Sequence, residues 1–236
     1  MQFVQFEPRR ALRAIRILAS NPDDTAQVFT IVEALSGTTL TRLARRMQAD
    51  ASGAQLLASQ PDIVARLSDR DALARLPAGS LGRAYLAFVE RENITADGLR
   101  DADAAGRRVA IPPPLDFVNA RLRDTHDLWH AATGYSGDVL GEASLLAFTF
   151  AQLWNPGIAL IVVVALFKTL AGAPGNNAQA RRTIIDGFRR GLKAKWLPSQ
   201  PWENLLALPL DEVRRMLALE APPVYREVRS FELKAA

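Results

Sequence analysis

The sequence predicts an all-α protein, and two observations favour this fold class. Apolar residues recur at intervals of three and four between glycine and proline residues, with no convincing alternation of the kind that marks strands. Hydrophobic residues make up 49% of the 236 residues and charged residues 23%, a balance that supplies a sizeable core. We therefore expect one multi-helix domain over residues 1–236, with a C-terminal tail at about 221–236.

The helices of the N-terminal half are predicted from capping residues and helix breakers. The predicted helices are a short basic one at 11–19, then about 25–35, about 40–57, one opened by Pro61, and 81–90. Residues 1–18 bear several arginines and few acids, as a mitochondrial presequence does, but they run into the helix signal at 21–25 without a processing-like break. We interpret them as part of the mature fold. Residues 97–109 are charged and poor in bulky apolar side chains, which favours a solvated loop or a short helix.

Three consecutive prolines at 112–114 lead into the next predicted helix, at about 116–132. Its apolar stripe is formed by Leu115, Val118, Leu122, His126 and Trp129. Gly134 and Gly137 then reverse the chain, and Asp138 can cap a second helix that carries Glu142 near its start. This second helix is predicted to end at residues 155–157, so the two helices form an antiparallel pair with a short connection.

Two later segments have compositions that raise the question of membrane contact. Residues 157–170 are strongly apolar, but a membrane span needs about 20 apolar residues, so we expect a buried core helix, with lipid contact as the alternative. Residues 178–196 predict a basic amphipathic helix, followed by a short helix at 211–219. The apolar face of the basic helix is predicted to consist of Ile184, Ile185, Phe188, Leu192 and Trp196. Its arginines form either a solvated face or a contact for anionic lipid headgroups.

The composition excludes several classes of site. The chain has no cysteine, which removes disulfides, iron–sulfur clusters and thiol nucleophiles, so any metal must be held by nitrogen and oxygen atoms. The net charge of +4 and the isoelectric point near 9.8 are mildly basic, but no zinc-finger spacing or RNA-binding signature accompanies them. We therefore expect no nucleic-acid partner.

The only two histidines of the chain, His126 and His130, point to a metal site. Four residues apart on a helix, they are separated by about 40° around the axis, so both imidazoles can reach one ion. Asp127 is rotated by about 100° and can bind the same ion if the ion sits to that side. Glu142 returns at the start of the following helix. Two unpaired buried imidazoles would be costly, which favours metal binding over simple core packing.

The residues leave the metal and the reaction open. Nitrogen and carboxylate ligands suit zinc, iron(II), cobalt or manganese. A zinc metalloprotease needs glutamate directly after the first histidine, where this chain has Asp127, so that match is poor. A histidine–aspartate phosphohydrolase would need further histidines. Another kind of metallohydrolase is a rival that rests on the histidine pair alone.

The spacing of these residues resembles the signature of the coenzyme Q (ubiquinone) biosynthesis protein 4 family, which is His-Asp, two residues, His, eleven residues, Glu. His126, Asp127, His130 and Glu142 match it at every position. Residues 21–25, 76–85 and 151–157 are also similar to segments of that family, so the resemblance covers most of the chain. It implies an all-helical fold and a bound divalent metal, usually zinc, with these four residues as ligands.

The resemblance also implies a function. It suggests an enzyme that oxidatively removes the C1 carboxyl of a polyprenylated hydroxybenzoate and leaves a hydroxyl, although the sequence singles out no catalytic residue. The alternative is a non-catalytic, lipid-binding scaffold that organises other ubiquinone biosynthesis enzymes. Without a long presequence, the chain resembles a bacterial member of the family, which would lie in the cytoplasm, peripheral to the inner membrane. A eukaryotic member would lie on the matrix side of the mitochondrial inner membrane. Apolar helices of this kind often pair, so a homodimer is one of the oligomeric states to test.

Overall fold

The described part of the chain is built from helices. The computed structural model describes residues 6–21, 24–96, 98, 100, 111–170, 176–221 and 223–228. Its helices are α1 Pro8–Ser20, α2 Thr25–Leu35, α3 Thr39–Ala49, α4 Ala51–Ser59, α5 Ile63–Leu67, α6 Arg70–Ala74, α7 Leu81–Glu92, α8 Leu115–Asp124, α9 His126–Thr133, α10 Val139–Leu153, α11 Pro156–Leu170, α12 Asn176–Lys193, α13 Trp202–Leu205 and α14 Leu210–Met216. No strand occurs among these residues, so the predicted all-α class is confirmed. The segment predicted as a loop or short helix at 97–109 lies outside the described residues, apart from 98 and 100.

The helix predicted at 40–57 is two helices, because the chain turns at Asp50. That residue has an extended backbone, with ψ of 132°, and its carboxylate accepts a hydrogen bond from the Gly53 amide at 2.9 Å as the cap of α4. A Cβ at Gly53 would lie 2.4 Å from the Met47 carbonyl oxygen. The glycine therefore allows α4 to fold back tightly on the end of α3.

The helix predicted at 116–132 is also divided, at Thr125 between α8 and α9. The Thr125 hydroxyl donates to the Arg121 carbonyl oxygen at 2.8 Å, a local bond that competes with regular helix geometry. The Trp129 amide still donates to the Thr125 carbonyl oxygen at 3.0 Å, so the chain continues without reversing. Both histidines remain on the same short helix, α9.

The interior consists of three clusters of buried apolar side chains. The first joins α5, α6, α7, α9, part of α10 and residues 197–219; the second joins α3, α4, α8, α10, α11 and α12; the third joins α1, α2 and α11. Leu122 and Tyr225 pack against both the first and the second cluster, and Val32 and Leu146 pack against the second and the third. Because α10 contributes to the first two clusters, the helix that carries Glu142 lies between them.

Two glycines of α12 let that helix pack closely on α10. A Cβ at Gly187 would lie 2.3 Å from the Ser144 carbonyl oxygen, and one at Gly191 would lie 2.5 Å from the Phe148 carbonyl oxygen. The Gln152 side chain then donates to the Gly191 carbonyl oxygen at 2.6 Å. This contact fixes the position of α10 against the body of the protein.

The buried face of α12 differs from the predicted one because the side that carries Gly187 and Gly191 packs against α10. Ile184 is buried, but Ile185 and Leu192 are 41% and 53% exposed, because the glycine side of the helix meets α10. Arg190, expected on the basic face, is buried and donates to the Thr133 carbonyl oxygen at 2.8 Å. The exposed basic side chains of α12 include Arg182, Arg189 and Lys193.

The apolar helix α11 is buried on one side only. Ile158, Ile161 and Val162 are buried, whereas Val163 and Phe167 are 44% and 65% exposed. Among the helices that the structure describes, none combines the length and apolar character needed to span a membrane. The prediction of a core helix therefore holds for one face of α11.

Replacing Gly191 with alanine should destabilise the protein, although the same change in an exposed helix stabilises by about 1 kcal/mol. The new methyl group would force α12 away from the Phe148 backbone, and such overpacking costs about 1–3 kcal/mol. Chemical denaturation monitored by circular dichroism measures the change in the free energy of unfolding. Arg182→Ala, on the exposed side of α12, is the control and should change it by less than about 0.5 kcal/mol. Equal stability of Gly191→Ala and the unmodified chain would contradict the close helix contact.

Candidate metal centre

The two histidines lie on α9, one helical turn apart. Their ring centroids are 4.9 Å apart and the rings meet edge to face at 84°. The His130 side chain is completely buried, whereas the His126 side chain is 22% exposed. His130 therefore lies on the inner side of one site and His126 on its outer side. Both rings face the same point, as the spacing of four predicts.

The chain reversal after α9 brings Glu142 to these rings. Gly134 ends α9 with a left-handed backbone (φ 84°), and the Asp138 carboxylate caps α10 by accepting a hydrogen bond from the Leu140 amide at 3.1 Å. Glu142 lies in the first turn of α10. One of its oxygens is 3.2 Å from His130 Nε2 and the other is 3.4 Å from His126 Nε2. One donor atom from each of His126, His130 and Glu142 lies within 4.8 Å of the other two.

Asp127 lies beside this group and is not one of its three members. It is buried, 7% exposed, and no hydrogen bond to its carboxylate is found within the described residues. Burial raises the pKa of Asp127, although the positive charge of His126 and His130 acts in the opposite direction. The Asp127 carboxylate thus interacts electrostatically with His126, His130 and Glu142, in keeping with the edge position expected from its rotation on the helix.

The donor set fits a cation because the tautomer of His130 is fixed by its surroundings. His130 Nδ1 is 3.0 Å from the Tyr135 carbonyl oxygen, which can only accept a hydrogen bond, so Nδ1 carries the proton. The Nε2 lone pair of the neutral ring then faces the Glu142 carboxylate, another acceptor. Nε2 is buried and has no well-formed hydrogen bond in the described structure. A divalent metal between these acceptors would satisfy both, and this carbonyl contact is the usual support of a metal-bound histidine.

Phe88 on α7 holds the same imidazole from its face. The two ring centroids are 4.9 Å apart and the rings are nearly parallel, at 14°. The sequence places Phe88 on the apolar face of a helix but gives no sign that it stacks on a histidine. Only the packing of α7 against α9 shows this second role.

The charges of the site also attract a cation. The partly buried position of Glu142 would raise its pKa, but the positive charge of His130 and the close approach of both imidazoles hold the pKa well below its usual value. Burial would lower the pKa of His130, but Glu142, Asp127 and the Tyr135 carbonyl together raise it. Without a metal, these shifts favour a proton shared between His130 and Glu142, and a bound cation would take the place of that proton.

Zinc, cobalt or manganese should raise the unfolding temperature of the protein, because an ion that binds only the folded state stabilises it. The gain is about 2.7 kcal/mol when the free ion is at about 100 times its Kd. Glu142→Gln should remove most of the shift, since the amide has no charge and binds metal poorly. Glu90→Gln, at an exposed position of α7, is the matched control. A metal-induced shift of equal size in both variants would show that the ion binds elsewhere.

Comparison with known proteins finds relatives over most of the chain. The family described as "Coenzyme Q (ubiquinone) biosynthesis protein Coq4" matches residues 10–223. "Ubiquinone biosynthesis protein COQ4, mitochondrial" of Meyerozyma guilliermondii is 31% identical over 83% of this chain and 60% of that protein. The protein of the same name from Komagataella phaffii is 32% identical over 80% of this chain and 60% of that protein. The chain thus spans about 60% of the length of these relatives.

The fold also resembles a crystal structure from Nostoc punctiforme PCC 73102. That structure has a TM-score of 0.68 and 24% sequence identity, over 92% of this chain and 100% of the other, and it supports the fold alone. The helical architecture, the grouping of His126, His130 and Glu142, and the match over residues 10–223 lead to one conclusion. The chain belongs to the Coq4 family of ubiquinone biosynthesis proteins.

Proposed function

We propose that this protein is a metal-dependent enzyme of ubiquinone biosynthesis that removes the C1 carboxyl of a polyprenylated hydroxybenzoate and leaves a hydroxyl in its place. The observation that carries the proposal is the convergence of the His126, His130 and Glu142 donor atoms in a site with one accessible side. The Glu142 side chain is 44% exposed, so a substrate oxygen can approach from that side. Membership of the Coq4 family indicates that the pathway is ubiquinone biosynthesis.

His126, His130 and Glu142 would hold the metal, with Asp127 as the fourth ligand from the edge of the site. Zinc is the ion we favour, and the same donors accommodate iron, cobalt or manganese. When bound, such an ion polarises the oxygens of the substrate carboxylate or phenolate and stabilises negative charge as the carboxyl leaves. His130 contributes a fixed orientation, since the Tyr135 carbonyl and the Phe88 ring hold its imidazole.

The proposed reaction needs an oxidant, and dioxygen with a two-electron donor balances it. The bond between C1 and the carboxyl carbon breaks, and that carbon leaves as carbon dioxide. One oxygen atom of dioxygen forms the new C1 hydroxyl. The other becomes water with two electrons and two protons from the external donor.

The isoprenoid tail would lie along α10. Glu142, Leu146 and Phe150 follow one another at intervals of four, so they form a row about 12 Å long on one side of the helix. Leu146 and Phe150 are only half-buried, and half-buried apolar side chains of α8, α11 and α12 pack around the same cluster. A partly exposed apolar row that starts at the candidate metal centre suits a long hydrocarbon chain.

This row ends at a group of apolar side chains that we call the aromatic patch: Phe150, Trp154, Ile185, Phe188 and Leu192. The rings of Phe150, Trp154 and Phe188 contact one another, with centroids 5.2 to 6.0 Å apart. Trp154 is 51% exposed and has a left-handed backbone (φ 48°), an unfavourable conformation for a bulky residue. The Arg42 guanidinium stabilises it by donating to the Leu153 and Trp154 carbonyl oxygens at 2.6 and 3.1 Å.

The aromatic patch would dock on the membrane that contains the substrate. On α12, exposed Arg189 lies four positions after Ile185 and three before Leu192, so a basic side chain adjoins the apolar ones. This combination suits a surface of anionic lipids. There the protein would work beside other ubiquinone biosynthesis enzymes, on the cytoplasmic side of a bacterial inner membrane or the matrix side of a mitochondrial one.

The full chain loaded with metal should convert a polyprenylated 4-hydroxybenzoate carboxylate in vesicles, supplied with dioxygen and an electron donor, to the C1-hydroxylated product. Labelled dioxygen should place one heavy oxygen atom in that hydroxyl, as measured by lipid mass spectrometry. His130→Ala should lower the rate by at least about 100-fold, because metal affinity is lost with the buried ligand. Glu90→Gln should retain the rate.

Unchanged turnover by His130→Ala without bound metal would overturn the proposed role of the site. If the metal-loaded chain never converts substrate, but its ligand variants fail to assemble with partner enzymes, the protein is the scaffold and not the enzyme.

Vesicles with anionic lipid should bind the protein more tightly than neutral vesicles in a sedimentation assay. The double variant Trp154→Ser, Leu192→Ser should bind these vesicles at least about tenfold more weakly, because two apolar side chains no longer enter the bilayer. Met216→Ser, on α14 and 41% exposed, is the control outside the aromatic patch. An equal loss in the control, or no loss in the double variant, would contradict docking through this patch.

A further inference from the structure

The segment at residues 223–228 lies against the chain reversal that connects the two histidines with Glu142. The sequence predicts a tail there, but these residues form an extended strap across the start of α10. The Val139 amide donates to the Val228 carbonyl oxygen at 2.9 Å, and the Val228 amide donates to the Asp138 carboxylate at 2.8 Å. The strap is therefore bonded to the residues that begin the Glu142 helix.

Tyr225 is the side chain through which the strap holds the reversal. Its hydroxyl donates to the other Asp138 oxygen at 2.8 Å and accepts a hydrogen bond from the Ser136 amide at 3.0 Å. Its ring lies against the ring of Tyr135, with centroids 6.3 Å apart. One hydroxyl thus joins two positions of the reversal, 136 and 138, from a residue 87 positions later in the chain.

Gly141 makes room for this contact. A Cβ at that position would lie 2.5 Å from the Tyr225 hydroxyl and 2.0 Å from the Ser136 carbonyl oxygen. The residue directly before Glu142 must therefore be glycine for the tyrosine and the reversal to approach α10. The hydroxyl of Tyr225 reaches the backbone within one residue of the proposed ligand.

The start of the strap is fixed as well. The buried Arg190 guanidinium donates to the Thr133 carbonyl oxygen at 2.8 Å and to the Ala221 carbonyl oxygen at 3.1 Å. This arginine therefore connects the end of the histidine helix α9 to the residues that lead into the strap. Both sides of the reversal are bonded to the same C-terminal segment.

The reversal itself supports ligands on both of its sides. On the α9 side, the Tyr135 carbonyl holds the tautomer of His130. On the α10 side, Asp138 caps the helix whose first turn carries Glu142, and its carbonyl oxygen accepts from the Glu142 amide at 2.8 Å. Any widening of the reversal would separate the imidazoles from the carboxylate.

We propose that Tyr225 is a positioning residue of the metal centre, which sets the separation between the His126–His130 pair and Glu142 by clamping Ser136 and Asp138. The inference rests on the proposed metal site and adds to it a residue outside the four-residue signature. Tyr225 also lies beyond the residues that match the family, 10–223. It touches no ligand directly and acts through the reversal.

The test compares Tyr225→Phe with Val224→Ala in the full chain. Both changes lie on the strap, but Tyr225→Phe removes two hydrogen bonds, whereas the side chain of Val224 is fully exposed. Cobalt(II) binding is measured by calorimetry and by the visible absorption of the bound ion, which reports coordination geometry. Tyr225→Phe should weaken binding by about 10-fold to 100-fold and change the spectrum, the usual effect of removing an outer support. Val224→Ala should bind within about threefold of the unmodified chain.

Circular dichroism of both metal-free variants shows whether each is folded, so a loss of cobalt binding can be distinguished from a loss of structure. A Tyr225→Phe chain that is folded and binds cobalt with unchanged affinity and spectrum would overturn the inference and leave the metal site intact. Failure of the unmodified chain to bind cobalt, zinc or manganese would overturn the proposed function, and the inference with it.

Discussion

The structure depends on a buried imidazole that is fixed on three sides. His130 has no contact with solvent, and its Nδ1 bonds to the Tyr135 carbonyl, its face stacks on Phe88, and its Nε2 points to Glu142. A buried polar atom without a partner costs about 1–3 kcal/mol, so Nε2 needs a proton or a cation. The surrounding carboxylates make a divalent cation the better solution, since it satisfies the ring and the acid together.

The rest of the fold serves to bring one carboxylate to this ring. Gly187 and Gly191 allow α12 to press α10 into position, and the cap of Asp138 sets where α10 begins. Because Glu142 belongs to the first turn, a small shift of that cap moves the carboxylate directly. The strap at residues 223–228 is bonded to this cap, which makes the far end of the described chain part of the site.

Local patterns in the sequence predict much of this arrangement. The spacing of four places two histidines on one helix face, and the glycines and Asp138 predict the reversal that returns Glu142 to them. Periodicity also predicts the helices, but it misses the breaks at Asp50 and Thr125, where a side-chain hydrogen bond accompanies the change in backbone geometry. Its rotation on the helix makes Asp127 a possible ligand, and the family signature makes it an expected one. The structure places its buried carboxylate beside the three converging donors.

Contacts between distant segments could not be predicted in this way. Phe88 fits an ordinary apolar helix face, and nothing local shows that its ring meets His130. Arg190 looks like one arginine of a basic helix, yet it is buried because the glycine side of α12 turns toward α10. Tyr225 lies in a segment with no helical pattern, and its hydroxyl acquires a role only when the chain folds back over 87 positions.

The most direct measurement is anomalous diffraction from crystals grown with zinc. We predict one strong peak at about 2.0–2.2 Å from His126 Nε2, His130 Nε2 and a Glu142 oxygen, with Asp127 rotated to complete the coordination. A peak at any other position, or none in crystals that contain excess zinc, would contradict the claim that these residues form a metal centre.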